Sequence, residues 1–169
     1  MIVNIAYNTT EPNIGLRLNR KSSALKCYMG DTGLLISLAF DEKGLVDEEV
    51  YKKILFNKLA FNEGIIMENI VAEMLTATGK KLYFYFSYDK QNSSNNMEID
   101  FLIAKNKITS RYNVSPIEVK SGKNHTFSSL NKFRNKYKEY LSTGYVLHID
   151  DLKVEEDIVF LPIYTTCLL

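Results

Sequence analysis

An α/β fold, with a central mixed sheet flanked by helices, is what this 169-residue sequence predicts, and three observations predict it. Residues 62–79, NEGIIMENIVAEMLTATG, place apolar side chains at helical spacing and stop at a glycine. Three segments with strand character follow, KLYFYFSY, MEIDFLIA and YNVSPIEVK, separated by polar turns. A second amphipathic stretch, FSSLNKFRNKYKEYL, then leads into two further strand segments, GYVLHID and IVFLPIY.

Taken in order, residues 1–24 read as a connecting arm, a short apolar alternation followed by a polar stretch that holds Pro12 and Gly15 and sustains no period, and residues 25–169 as the domain proper. LKCYMGDTGLLISLAF predicts a short strand, a turn at Gly30-Asp31, and a helix capped by Asp31 or Thr32. VDEEVYKKILFNKLAF, residues 46–61, predicts a helix with acids in its first turn. In the helix over 62–79 the apolar face is formed by Met67, Ile70, Val71, Met74 and Thr78. On that wheel Glu68 falls at the edge of the apolar face, beside Leu75, and Glu73 points well away. In MEIDFLI, a regular alternation sets Met97, Ile99, Phe101 and Ile103 against Glu98, Asp100 and Leu102. The later helix turns Phe127, Leu130, Phe133, Tyr137 and Leu141 inward, and Pro162 confines the last strand to an edge or a strand end.

Length and composition fit a single domain with a sizeable core, since a domain of about 150 residues buries roughly 70% of its unfolded surface. A net charge of +1 neither announces nor excludes a nucleic-acid partner, because a local basic stripe can act inside a neutral total. Cys27 and Cys167 have no zinc-ligand spacing and suggest no disulfide framework, so a reducing cytoplasm is the simplest home. The first residues lack a signal peptide's basic start and apolar core, and the longest apolar run is far short of the roughly 20 residues that span a bilayer. A soluble protein without a membrane partner is expected. The Gly-Lys at 79–80 has no glycine five residues before it and no Ser or Thr after it, which excludes a Walker A loop.

The chemistry converges on PIEVKSG. Period-two alternation puts Ile117 and Val119 on one face and Glu118 with Lys120 on the other. The plain reading is a solvated charged face whose ion pair contributes about 0 to 1 kcal/mol. The alternative reading is a site. If the second and third strands pair, Asp100 and Glu118 come within reach of one ion, and two carboxylates with a strand carbonyl suit Mg²⁺. Lys120 could then orient a water or offset charge developing on a phosphate. His125 and His148 share no ligand spacing and stay outside this constellation.

In the order Glu68, Asp100 and EVK at 118–120, the sequence resembles the PD-(D/E)xK nuclease superfamily. More of the chain, through YMGDTGLLISL, GIIMENIVAEML, EIDFLI and PIEVKSG, is similar to the C-terminal domain, of unknown function, of a prokaryotic AAA+-type ATPase family. The resemblance implies a restriction-endonuclease-like sheet attached to an ATPase core, with residues 1–24 as the end of the connection. It further implies Glu68, Asp100, Glu118 and Lys120 as catalytic residues, Asp100 and Glu118 as ligands of Mg²⁺ or Mn²⁺, and action as a homodimer.

Residues 120–138 contain six cations and no acid, and of these Lys123, Lys132, Arg134 and Lys136 are candidates to neutralise DNA phosphates. A solvated helix face with a chance charge bias is the plain alternative. Tyr112, Tyr137 and Tyr140 could stack on bases or belong to the core and its rim. Two functions remain open at this point: a metal-dependent DNA nuclease, and a non-catalytic DNA- or protein-binding module that regulates or localises an ATPase.

Overall fold

The computed structural model describes residues 2–40, 52, 62–92, 95–105, 112–122 and 127–169. Its strands are β1 (Val3–Thr9), β2 (Arg20–Met29), β3 (Leu82–Ser87), β4 (Met97–Ala104), β5 (Val114–Val119), β6 (Gly144–His148), β7 (Lys153–Glu155) and β8 (Ile158–Pro162). Three helices are described, α1 (Thr32–Phe40), α2 (Glu63–Ala77) and α3 (Ser128–Tyr137), and a 3-10 turn, Ile163–Leu168, closes the chain. The strands form one mixed sheet in the order β2-β1-β3-β4-β5-β6-β8-β7. Apart from Lys52, which is helical, the helix expected over 46–61 lies outside the described residues, as do Lys123 and His125.

Alternation along β3 divides the core into two layers. Tyr83 and Tyr85 join Leu130 and Phe133 of α3, whereas Leu82 and Phe84 join Val71, Ala72 and Leu75 of α2. The two helices therefore cover opposite faces of the sheet. Antiparallel pairing of β4 with β5, the hairpin on which the site depends, runs from Phe101–Ile117 to Ala104–Val114. Pro162 ends β8 on its last residue, as its missing N–H requires. The three-residue β7 is exposed throughout and charged at both ends, a form that discourages pairing with another chain at the sheet edge.

The arm expected over residues 1–24 is instead part of the sheet. β1 lies between β2 and β3, antiparallel to the first and parallel to the second. Its apolar alternation, Val3, Ile5 and Tyr7, falls on the less buried face, while the buried positions Asn4, Ala6, Asn8 and Thr9 carry mostly polar side chains, so the pattern does not mark a core strand. Asn8 compensates with its side chain, accepting the Phe86 N–H at 2.9 Å and donating to the Phe86 carbonyl at 3.3 Å. The carboxamide thus extends the β1–β3 ladder beyond its last backbone pair, Asn8–Phe84.

Candidate active site

Glu68 is brought to the sheet by α2. Asn62 caps the helix by accepting the Ile65 N–H, and the chain leaves it through Gly79 at φ +83°, a conformation that favours glycine. The buried residues are Asn69, Val71, Ala72 and Leu75, whereas Met67, Ile70 and Met74 are half-buried and Thr78 is exposed. The helix is thus rotated from the expected face. Glu68, one turn before Val71 and Ala72, sits on the packed side, with its side chain only 24% exposed.

Glu73 does not point into solvent. It accepts the Thr32 N–H at 3.2 Å and the Thr32 hydroxyl at 2.9 Å, at the N-terminus of α1 where a carboxylate is favourable. Asp31 caps the same helix through the Leu34 N–H at 2.7 Å, as the sequence indicated. Asn69, 2% exposed, completes the joint: its oxygen accepts the Met29 N–H, and its amide donates to the Met29 carbonyl and the Thr32 hydroxyl. Asn69→Ala leaves those groups unpaired and is expected to cost about 2 to 3 kcal/mol. Urea unfolding should show it as a lower midpoint at unchanged slope.

A β-bulge places Asp100. The register runs Tyr83–Leu102 and then Tyr85–Ile99, so two residues of β4, Asp100 and Phe101, face the single residue Phe84. The regular alternation expected through MEIDFLI is broken there. Ile99 and Leu102 belong to the α3 layer, and Phe101 and Ile103 to the α2 layer. Beyond Phe101–Ile117 the β4–β5 ladder gives way to a side chain: Asp100 Oδ2 accepts the Val119 N–H at 2.8 Å. On its other side β5 stays paired with β6 through Val119, and the Lys120 N–H bonds the Leu147 carbonyl.

Glu118 is 4% exposed, and its Oε2 takes the Lys120 ammonium at 2.8 Å. Its other oxygen, Oε1, is buried without a hydrogen-bond partner. This pair is not the solvated strand face of the plain reading. The N-terminal hairpin adds residues that sequence reasoning missed. Lys26 on β2 bridges Glu68 at 2.9 Å and Glu98 at 2.8 Å, and Tyr28 donates to Glu68 Oε1 at 2.5 Å. Lys26 also lies 5.3 Å from the Phe84 ring centre, and Tyr28 packs against Phe101 with ring centres 5.4 Å apart. The available signal was the period-two spacing of Lys26 and Tyr28 in LKCYM, and of Glu98 and Asp100 in MEID.

Each charge feels the others. Burial, reinforced by Glu118 and Glu68, raises the Asp100 carboxyl to about 7 against the Val119 N–H and Lys26. Glu118 is raised by burial against the pull of Lys120. For Lys120, burial acts downward, but Glu118, then Asp100 and Glu68, outweigh it and hold the ammonium above its ordinary value. Lys26 is held up in the same way, chiefly by Glu68, and Tyr28 is raised by burial and then by Glu68. The cluster is an electrostatically strained group of four acids, half compensated by two lysines.

Among the described residues, none of the α3 cations makes an ion pair with this group. Lys132 is exposed, Arg134 pairs with Asp157 at 3.1 Å, and Lys136 lies 3.4 Å from the Tyr85 hydroxyl and 5.1 Å from the Tyr137 ring centre. Tyr137 packs against Tyr85 and Phe133, and Tyr112 and Tyr140 are exposed. Among the described residues, no helix is long and apolar enough to cross a membrane.

A family model matches residues 63–166, more than half of the chain, and describes a domain of unknown function, DUF4143. The chain belongs to the DUF4143 family. No curated protein and no solved structure matches it. The DUF4143 segment contains Glu68, Glu98, Asp100, Glu118 and Lys120, while Lys26 and Tyr28 precede it.

Proposed function

We propose that this DUF4143 chain is a metal-dependent DNA endonuclease domain with a restriction-endonuclease-like fold, acting as the C-terminal partner of an AAA+-type ATPase core. The observation that carries the reading is the buried, unpartnered Oε1 of Glu118, beside a lysine and electrostatically coupled to Asp100. A buried carboxylate oxygen without a donor is costly, and a hard cation is a partner that would satisfy it. Among the described residues no group of three or more His, Cys, Asp or Glu side chains is arranged to hold a metal. Asp100 and Glu118 would therefore hold Mg²⁺ or Mn²⁺ together with water, in keeping with the habit of Mg²⁺ of retaining several waters.

When bound, such an ion supplies Lewis acidity toward a phosphate oxygen and a more acidic water. Lys120 places a fixed positive charge beside the site, where negative charge develops as a phosphodiester is attacked. Glu68 is held by Tyr28 and Lys26 through Oε1, which leaves Oε2 to orient a water. The Asp100–Val119 hydrogen bond fixes the first carboxylate against the strand that carries the second.

One observation favours a second reading, a non-catalytic DNA- or protein-binding module of the ATPase. Glu68 and Glu98 already share Lys26, and Glu118 has Lys120, so half of the charge of the four acids is compensated within the protein. Cleavage of labelled linear, branched and supercoiled DNAs with Mg²⁺ or Mn²⁺ separates the two. The nuclease reading expects cleavage that EDTA and Asp100→Ala each abolish. Cleavage retained by the variant overturns the site, and no cleavage of any substrate, with metal-independent DNA binding or stable capture of a separate ATPase core, favours the module.

A further inference from the structure

A second group of cations stands at the far end of α2 and β4 from the acids. Arg17, Lys80, Lys81 and Lys105 line a cleft of about 730 Å³, and a recess of about 390 Å³ continues from it past Arg17, Lys80 and Lys81 to Arg20. Among the described residues, no aspartate or glutamate side chain lines either one. Arg17, Lys81 and Lys105 are exposed, Lys80 is half-buried, and none of the four has an ion-pair partner among the described residues. Arg20 lies 4.9 Å from the Tyr7 ring centre.

Lysines just beyond a helix C-terminus complement its dipole, which accounts for Lys80 and Lys81 after α2. It does not account for Arg17, in the β1–β2 connection, or Lys105, at the end of β4. Four cations gathered without an acid repel one another, and a polyanion laid along them relieves that repulsion. We infer that this cleft binds the phosphodiester backbone of a nucleic acid.

The placement favours a nucleic acid over an acidic protein, and this step rests on the nuclease reading. Five residues of β4 separate Lys105 from Asp100, which at about 3.3 Å per residue is about 17 Å. Along one strand of a duplex that distance holds about five phosphates at roughly 3.4 Å each. A backbone seated on Lys81 and Lys105 thus reaches the acids about half a helical turn away. Because the two recesses share Arg17, Lys80 and Lys81, the cations form a track suited to a chain of phosphates.

The test is binding of a short labelled DNA duplex to the full chain in EDTA, read by fluorescence anisotropy across a salt series. Lys81→Gln with Lys105→Gln should weaken binding at least about tenfold and reduce the slope of log affinity against log salt by about 2, with an unchanged thermal midpoint. Lys132→Gln with Lys136→Gln, on α3 and outside both recesses, should bind as the wild type does. The inference is overturned if the wild type does not bind, if the cleft variant binds unchanged, or if both pairs weaken binding alike. It is also overturned if polyglutamate displaces the duplex at equal charge, which indicates an acidic protein partner. Since EDTA removes any metal-dependent step, failure to cleave DNA and failure of this cleft are separate results.

Discussion

On the proposed nuclease reading, Asp100→Asn should lower metal-dependent cleavage by about a hundredfold or more, and at the same time make the protein more stable at pH 8. The two effects share one cause. In the folded chain the Asp100 carboxyl is held at about 7 by burial and by its acidic neighbours, well above its ordinary 3.8. The folded state therefore binds this proton more tightly than the unfolded state does, and the group's contribution to stability falls as pH rises from about 4 to about 7. Above 7 the full cost of the buried charge is present. Asparagine keeps an oxygen for the Val119 N–H and carries no charge, so the thermal midpoint should rise by several degrees at pH 8 and converge on that of the wild type toward pH 4.

On the same reading, divalent metal should reverse the order of the two proteins. A cation held by Asp100 and Glu118 stabilises the folded wild type in proportion to its binding, whereas the asparagine variant should respond little. Thermal scans at pH 8, with EDTA and then with a Mn²⁺ series, measure both effects without a cleavage assay. A variant less stable than the wild type in EDTA would contradict the electrostatic account. Equal Mn²⁺ shifts in the two proteins would remove Asp100 from the metal site.

Phe101→Ala should cost about 3 to 5 kcal/mol, the range for emptying a fully buried aromatic position. Phe101 has no solvent exposure, belongs to the layer beneath α2, and supports the ring of Tyr28. The loss should exceed a simple cavity in one respect. The Tyr28 hydroxyl that holds Glu68 is positioned by this packing, so the change should also release Glu68. Urea unfolding measures the first effect, and a double-mutant cycle with Tyr28→Phe the second, since coupling between the two changes shows that the packing positions the hydroxyl. A loss below about 1 kcal/mol would mean that the bulge, rather than the ring, carries the local structure.

Much of this architecture was legible in the sequence because strong patterns coincide with clear boundaries. MEIDFLIA is β4 without a residue's difference, since a dense β pattern is bounded by polar turns on both sides. Asp100, Glu118 and Lys120 could be placed on adjoining strands for the same reason. The bulge was hidden because one extra residue among apolar neighbours leaves no trace in composition: Phe101 and Leu102 are equally apolar on either face. β1 was missed because two of its buried positions are asparagines, and Asn8 bonds the Phe86 backbone rather than filling the core. Glu73 was misread because a helical wheel shows the layer below a helix and not the end of another helix beside it. Lys26 and Tyr28 required knowledge that β2 runs past α2, a long-range fact that no local window contains.

The position of β1 within the sheet also bears on what counts as a separable unit. The DUF4143 segment begins at Glu63, yet the strand next to β3 and the two side chains that hold Glu68 come from the first thirty residues. A chain cut at that boundary would expose the edge of β3 along LYFYFS, an uncharged aromatic strand open to self-association. It would also strip Glu68 of its ammonium and phenol together. The family boundary marks a shared stretch of sequence, and the smallest piece able to fold and work is larger.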